Sequence, residues 1–239
     1  MSKDIRIKKG LNINLVGAAE LATSKAVLSN VYAINLHDFH GVTPKLLVKQ
    51  GAEVKAGEPL FFDKSQEAVK FVSPVSGELV EVVRGERRKI LSLKILADKT
   101  QEHVAHKPLN LEGASPQDIK AFLLNGGVWP FVKQRPYDVI ADAESTPKGI
   151  FISGYVTAPL AADLDYVLQG KEKELQAAIT ALGKLTPGKV HVSVGKSSNS
   201  PLAGLKGVEL HKISGPHPAG LVGTLINRVD PINKGEVVW

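Results

Sequence analysis

Residues 48–60 read VKQGAEVKAGEPL, and this stretch decides the fold of the first half of the chain. An apolar residue or a glycine recurs in it at every third position: Val48, Gly51, Val54, Gly57 and Leu60. Glycine suits turns that need positive φ, so the apolar residues between the turns can point inward from short strands. The surrounding residues 42–96 alternate apolar and polar side chains between turn signals, which favours half-buried strands. We therefore predict a small all-β unit with its core at 42–96.

The same spacing, followed by Ser73-Pro74-Val75-Ser76-Gly77, resembles the biotinyl/lipoyl-like barrel-sandwich fold. In the carrier members of that fold, a lysine at a hairpin tip takes the lipoyl group, and Asp63-Lys64 stands at about that place. The segment from Lys64 to Pro74 is longer than the carrier pattern allows. We therefore expect Lys64 to be an unmodified hairpin lysine that faces solvent.

After residue 98 the pattern changes from strands alone to strands and helices. Ser115-Pro116-Gln117-Asp118 is typical of a helix start, and Gly126-Gly127 of a helix end. An apolar strand at 149–154, helical spacing over 164–182 and a second strand at 189–195 follow. This order predicts a mostly parallel, Rossmann-like α/β layer.

We therefore predict an α/β or α+β protein of two domains. The first, residues 1–98, joins an N-terminal strand segment to a barrel-sandwich hybrid. The second, residues 99–239, is the Rossmann-like α/β domain. Its apolar end at 236–239 is strand-like, so we expect the chain to stop inside an element and this domain to be truncated.

Composition excludes several classes of protein. The 239 residues are 43% apolar and 23% charged, which suits a globular fold with a real core. Cysteine is absent, so disulfides, thiolate nucleophiles and cysteine-ligated metal clusters are excluded. The N-terminus lacks the apolar core of a signal peptide, and we expect a cytoplasmic chain. The uncharged stretch 213–227 is too short and too rich in glycine and proline to span a bilayer.

The net charge of +6 comes largely from one loop. Five cations and one acid give this loop an excess of +4: Arg84, Arg87, Arg88, Lys89 and Lys94 against Glu86. No aromatic residues are interleaved for base stacking, so we expect no nucleic-acid binding. The patch formed by Arg84, Arg87, Arg88 and Lys89 is interpreted as a solvated hairpin or a docking surface.

The usual catalytic and cofactor motifs are missing from the sequence. Neither G-x-G-x-x-G nor a Walker sequence occurs, and no serine lies in a nucleophile elbow. The H-x-x-H pairs His37/His40 and His103/His106 lack a third ligand at a useful offset, so we expect no metal site. We identify no catalytic residue in the chain.

Two strings could hold a ligand. Residues 214–224 read SGPHPAGLVGT, in which two prolines fix the backbone of His217 and glycines such as Gly220 allow close approach before a helix. A rigid turn that packs a helix on the sheet is the alternative. Thr157 follows the predicted strand 149–154 at its carboxyl end, where open α/β sheets usually hold ligands.

These strings are joined by four others that carry a family resemblance: IKKGL at 7–11, GEPLFFDK at 57–64, VKFVSP at 69–74 and FLLNGGVW at 122–129. Together they resemble the NqrA family of the bacterial sodium-translocating NADH:quinone reductase, in order from residue 5 to 239. The resemblance implies one subunit of a complex that oxidises NADH, reduces ubiquinone and exports Na⁺. It would lie on the cytoplasmic face of the inner membrane and be held there by partner subunits. Family members continue beyond Trp239, so we expect an N-terminal portion that is inactive in isolation.

RnfC and the flavoprotein subunit of respiratory complex I resemble the chain more distantly. They carry a G-x-G-G-A-G-F-P-T loop that cradles the FMN phosphate, where residues 126–136 of this chain read GGVWPFVKQRP. Bulky residues and prolines replace glycines whose small size lets N–H groups reach a phosphate. We therefore expect no FMN and no covalently bound cofactor, with ubiquinone as substrate.

A neutral quinone headgroup needs apolar walls and one or two donors to its carbonyl oxygens. We select as quinone-binding candidates Trp129, Phe131, Arg135, Thr157, His217 and Gly220, with Arg135 and His217 as the donors. The structural alternatives are interdomain packing for Trp129 and Phe131, a surface charge for Arg135 and a rigid turn for His217. The quinone site could also lie beyond this chain. The competing functions are an RnfC-like FMN/NADH electron-transfer subunit and a purely structural docking subunit.

Overall fold

The computed structural model describes residues 2–17 and 19–239. Its strands are β1 (Asp4–Arg6), β2 (Val31–Asn35), β3 (Pro44–Leu46), β4 (Glu53–Val54), β5 (Pro59–Asp63), β6 (Gln66–Val72), β7 (Gly77–Arg84), β8 (Ile90–Ala97), β9 (Lys133–Gln134), β10 (Val139–Ile140), β11 (Gly149–Ser153), β12 (Lys189–Gly195) and β13 (Glu209–Ser214). Its helices are α1 (Pro116–Asn125), α2 (Leu164–Val167), α3 (Glu172–Gly183) and α4 (Val222–Val229). Short 3₁₀ helices lie at Leu36–Asp38, Glu86–Arg88, Trp129–Phe131 and Pro201–Gly204.

The chain forms two compact units. One, here called the β unit, is Lys25–Ser145. The other, the α/β unit, combines Met1–Ser24 with Thr146–Trp239. The β unit is therefore inserted into the sequence of the α/β unit.

The β unit contains two antiparallel sheets, ordered β2-β8-β7-β4 and β3-β5-β6, and the small β9–β10 pair. Leu60, Leu79 and Ile95 are fully buried in its core, but the predicted alternation along β7 and β8 is interrupted by register shifts between Leu79 and Glu81 and between Val83 and Arg84. Phe61 stacks on Phe71 with ring centroids 4.4 Å apart. This arrangement of two small sheets with buried apolar side chains confirms the fold class predicted for the first half of the chain.

Lys64 lies at the turn between β5 and β6, as expected of a hairpin lysine. Its side chain is exposed, and its backbone N–H donates to the Thr43 carbonyl (2.9 Å). Asp63 organises the turn because its carboxylate accepts hydrogen bonds from Thr43 N–H and from the Ser65 N–H and hydroxyl.

The α/β unit is built on a parallel sheet ordered β1-β13-β12-β11. Helix α4 covers one face, and its Leu225 and Ile226 pack in a cluster with Ile5, Phe151 and Ile213. Strand β12 is buried on both faces from Val190 onward, as a central parallel strand should be. The described sheet confirms the predicted Rossmann-like α/β architecture.

Residues at the end of the chain line the outer edge of β11. Phe151 N–H donates to the Trp239 carbonyl (2.7 Å), and Lys148 N–H donates to the Val237 carbonyl (2.9 Å). Lys148 Nζ also forms ion pairs with Asp230 (2.9 Å) and Glu236 (2.6 Å). Residues 236–239, which the sequence predicts to be strand-like, thus form backbone hydrogen bonds along the edge of β11.

The compact units are divided at residues 24/25 and 145/146, while the domain boundary at residues 98 and 99 stays a prediction. Strand β1 lies in the α/β sheet, where Ile5 pairs with Ile213, because a three-residue strand is stable only when a larger sheet supplies its partners. Helix α1 and the segment to residue 145 belong to the β unit, where α1 packs on β6 and buries Ile119. The helix begins with the predicted cap: Ser115 Oγ accepts from Asp118 N–H, and Asp118 Oδ2 accepts from Ser115 N–H.

Candidate functional site

Thr157, His217 and Gly220 meet just beyond the carboxyl ends of β11 and β13. Gly220 N–H donates to Thr157 Oγ1 (3.0 Å), and the same oxygen lies 3.1 Å from His217 Nδ1. Three of the six predicted candidates therefore form one hydrogen-bonded cluster, although Thr157 and His217 are 60 positions apart in sequence. We call these three residues the His217 cluster.

Two glycines allow close contacts between backbone segments at the His217 cluster. A Cβ at Gly220 would lie 2.5 Å from Thr157 N and 2.8 Å from the Tyr155 carbonyl oxygen. A Cβ at Gly10 would collide with the carbonyl oxygen of His217. Only glycine permits these approaches of backbone to backbone, so the glycines near His217 serve packing at the sheet edge.

The backbone of His217 is held on both sides by the N-terminal segment of the same unit. Its N–H donates to Asn12 Oδ1 (2.9 Å), and its carbonyl accepts from Leu11 N–H (3.0 Å). The side chain is half-buried, with Nδ1 facing Thr157. No hydrogen bond of Nε2 is seen within residues 2–17 and 19–239, and His217 lies beside the two cavities described next without being in their walls. Asn12 is a site residue that the sequence did not indicate.

Two cavities lie at this edge of the sheet. One of about 630 Å³ lies between residues 12–15 and 155–159 and includes Thr157 in its wall. A second of about 430 Å³ lies at the ends of β11, β12 and β13 and shares Tyr155, Val156 and Ala158 with the first. Both volumes fall within the range of small-molecule pockets, and the location is where open α/β sheets hold ligands.

The second cavity has polar groups that sequence reasoning also missed. Asp165 accepts from Ser198 Oγ, with distances of 2.7 and 2.6 Å to its two oxygens. Lys196 on the same wall is paired with Asp4 (2.9 Å). The polar groups of this wall are therefore already arranged by contacts with one another, and the wall is mixed in charge.

The other three candidates, Trp129, Phe131 and Arg135, belong to the β unit. Trp129 is fully buried, and its indole N–H donates to the Ala141 carbonyl (2.8 Å), so it offers no surface to a ligand. Phe131 is 75% exposed. Arg135 Nη2 lies 3.4 Å from Asp138, and its buried Nε has no hydrogen-bond partner in the described part of the chain.

The stretch 126–136 does not fit an FMN phosphate. Its backbone N–H groups are used within the chain: Val128 donates to Leu123, Phe131 to Val128 and Val132 to Trp129, at 2.9–3.1 Å. A Cβ at Gly127 would lie 2.5 Å from the Val72 side chain, so this glycine serves packing on β6. The N–H groups that would cradle a phosphate are thus closed on the chain's own carbonyls.

The predicted docking patch lies at the end of β7 and in the loop that leads to β8. Arg84, Arg87, Arg88 and Lys89 are all exposed. Arg87 (φ 52°) and Arg88 (φ 59°) both take left-handed conformations, which are unfavourable for residues with a Cβ. Arg84 Nη1 donates to the Arg88 carbonyl (3.1 Å) and holds the loop in this form.

The histidines of both H-x-x-H pairs lie on the surface. His37, His40, His103 and His106 are all exposed, and His37 lies 3.3 Å from Asp38. Within residues 2–17 and 19–239, no three His, Asp or Glu side chains are grouped to hold a metal ion. Among the described helices, none is long and apolar enough to cross a bilayer.

A buried histidine pair lies under α4, and no sequence pattern indicated it. His191 Nδ1 is 3.1 Å from His211 Nε2, and His211 Nδ1 accepts from Lys3 N–H (3.2 Å). His191 also stacks on Phe151, with ring centroids 4.6 Å apart. Burial lowers the pKa of His211 to about 4 and lowers the pKa of His191, so both rings are neutral at pH 7.

Comparison with known proteins supports the family resemblance over nearly the whole chain. Two family models match, the NqrA N-terminal barrel-sandwich hybrid domain at residues 5–98 and the NqrA second alpha/beta domain at 114–239. Relatives named as the A-subunit of Na(+)-translocating NADH-quinone reductase are 34% identical over 236 residues in Marinomonas sp. and 35% over 237 in Pseudomonas aeruginosa PAO1. A third, from Neisseria meningitidis serogroup A, is 32% identical over 237 residues.

These alignments cover 98% of this chain and 53% of each relative. The chain therefore spans about half the length of the curated relatives it matches. The matched ranges of the two family models extend over both units and contain the residues of the His217 cluster. The chain belongs to the NqrA family of the Na⁺-translocating NADH-quinone reductase.

Proposed function

We propose that the chain supplies a quinone-binding surface to a sodium-translocating NADH:quinone reductase, with the His217 cluster as its polar anchor. The observation that carries this proposal is the free Nε2 of His217, whose ring is fixed through Nδ1 and whose backbone is fixed at both ends. A quinone carbonyl oxygen is an acceptor that a neutral imidazole N–H can serve. Such a bond strengthens as negative charge develops on the oxygen during reduction.

Two side chains beside the cluster, Val156 and Tyr155, offer contact surface to the headgroup. Val156 is 40% exposed in the loop that separates the two cavities, and Tyr155 lines both. In the β unit, Phe131 and Arg135 stay candidates, because Phe131 is exposed and Arg135 Nε lacks a partner among the described residues. Trp129 is assigned a packing role instead.

In this proposal the chain binds no flavin or metal, and the electron-transfer cofactors belong to partner subunits. The closed backbone of 126–136 favours it over the RnfC-like alternative. Purified chain should be colourless, whereas an RnfC-like protein should carry FMN and absorb near about 450 nm. A flavin that copurifies in stoichiometric amount would overturn the proposal.

Partner subunits would hold the chain at the cytoplasmic face of the bacterial membrane, with the basic patch as one docking surface. The patch is exposed and its loop is held by the Arg84–Arg88 hydrogen bond, so its charges are displayed in a fixed arrangement. Reversing both Arg87 and Arg88 to Glu should abolish assembly of the complex while circular dichroism of the chain stays unchanged. Normal assembly of that variant would exclude this docking role.

Binding of ubiquinone-1 to the isolated chain tests the quinone site directly. We expect saturable binding that His217→Gln weakens about tenfold, since one hydrogen bond to the ligand is lost. The matched control is His40→Gln, which removes an exposed histidine in the β unit and should leave the affinity unchanged. Equal affinities for the wild-type chain and His217→Gln would exclude His217 as the anchor.

A further inference from the structure

We infer that Thr157 makes the His217 cluster selective for the oxidised form of a quinone, because it fixes which ring nitrogen of His217 carries the hydrogen. This inference rests on the proposed quinone function and adds a positioning residue to it. Thr157 acts through His217 and need not touch the ligand.

Counting donors and acceptors assigns the tautomer. Thr157 Oγ1 already accepts from Gly220 N–H, and its one hydrogen needs an acceptor. His217 Nδ1, at 3.1 Å, is the acceptor that the described chain offers. If Nδ1 carried a hydrogen and donated it to Thr157, the hydroxyl hydrogen would have no partner among residues 2–17 and 19–239 and would have to turn into the cavity that Thr157 lines. When the ring carries one hydrogen, the arrangement that satisfies all three groups within the chain places that hydrogen on Nε2.

The surroundings resist a change of this arrangement. Turning the ring would break the bond to Thr157, and the backbone on either side of the ring is held by Leu11 and Asn12. The close packing of Gly220 on Thr157 keeps the hydroxyl oxygen in place.

A ring fixed in this way can only donate through Nε2. The carbonyl oxygen of an oxidised quinone is a pure acceptor and matches it. A quinol hydroxyl can accept the same hydrogen bond only if its own hydrogen finds another acceptor. Oxidised quinone should therefore bind more tightly than quinol, so that the reduced product is released more readily than the substrate.

The tautomer can be measured without any quinone. In the full 239-residue chain labelled with ¹⁵N-histidine, the His217 signals are those that His217→Gln removes. We expect the pattern of an Nε2–H tautomer in the wild-type chain and in Thr157→Ser, which keeps a hydroxyl. In Thr157→Val, which keeps the shape without the hydroxyl, we expect a mixture of tautomers. An Nδ1–H tautomer in the wild-type chain would overturn the inference.

The ratio of dissociation constants for ubiquinol-1 and ubiquinone-1 is the second readout. It should be about ten in the wild-type chain and in Thr157→Ser, and close to one in Thr157→Val. Equal binding of both forms to a wild-type chain with the Nε2–H tautomer would overturn this inference and leave the quinone function standing. Absence of binding by either form would overturn the quinone function and, with it, the selectivity.

Discussion

The His217 cluster in the α/β unit and the stretch 126–136 in the β unit use their hydrogen-bond donors in opposite ways. Gly220 brings a backbone N–H onto Thr157, and the cluster leaves Nε2 of His217 without a partner among the described residues. In the stretch 126–136, the N–H groups close on neighbouring carbonyls and Trp129 fills the interior. One region is thus stabilised by contacts that still leave a donor for a ligand, and the other is stabilised by contacts that use its donors up.

The largest expected effect sharpens this comparison at Trp129. Replacing it with alanine should destabilise the β unit by about 3–5 kcal/mol, since a fully buried indole and its hydrogen bond are lost. The matched control is Phe131→Ala, two positions away and 75% exposed, which should change stability by less than about 0.5 kcal/mol. Urea unfolding followed by circular dichroism measures both. A similar small loss for the two variants would mean that Trp129 is not part of the core.

A second prediction concerns the buried histidine pair of the α/β unit. The folded-state pKa of His211 lies below its ordinary value, so the unfolded chain binds protons more readily as the pH falls. The contribution of His211 to the free energy of unfolding of the α/β unit should be complete above about pH 6.5. It should fall by about 3 kcal/mol as the pH approaches 4. His211→Gln should flatten this decline, while His37→Gln, at an exposed position, should not. An unchanged acid limb in His211→Gln would contradict the assignment.

A third, smaller effect tests the close approach at Gly220. Gly220→Ala should cost about 1–3 kcal/mol, because its Cβ meets the Thr157 and Tyr155 backbone. Gly223→Ala is the control: it lies in α4 with open space around it and should stabilise the helix by up to about 1 kcal/mol. Thermal unfolding of the two variants measures the difference. Equal stabilities would show that the Gly220 contact can relax.

Local patterns allowed much of the fold to be predicted from the sequence. Strand β12 has the predicted bounds of 189–195, and α1 begins at the predicted capping box because both signals lie within a few adjacent residues. Thr157 could be placed at the sheet edge because the position of a residue after a parallel strand fixes its side of the sheet. In each case the information is contained in consecutive residues.

The features that could not be predicted depend on partners distant in sequence. Strand β1 is too short to show a period, and its partner β13 lies more than 200 positions later, where Asp4 pairs with Lys212. His191 and His211 become a pair only through the relative register of β12 and β13, which neither strand specifies alone. A tryptophan in the sequence is compatible with either the wall of a ligand site or a hydrophobic core. Only the burial of Trp129 in the structure distinguishes the two roles.

The pairing of β1 with β13 has a consequence for the order in which the chain folds during synthesis. Lys3 donates through its backbone N–H to His211 and through Nζ to the Val229 carbonyl at the end of α4. These partners leave the ribosome long after the β unit is complete. The β unit can therefore fold before β1 has its partner, and β1 reaches its native place only after β13 has been made.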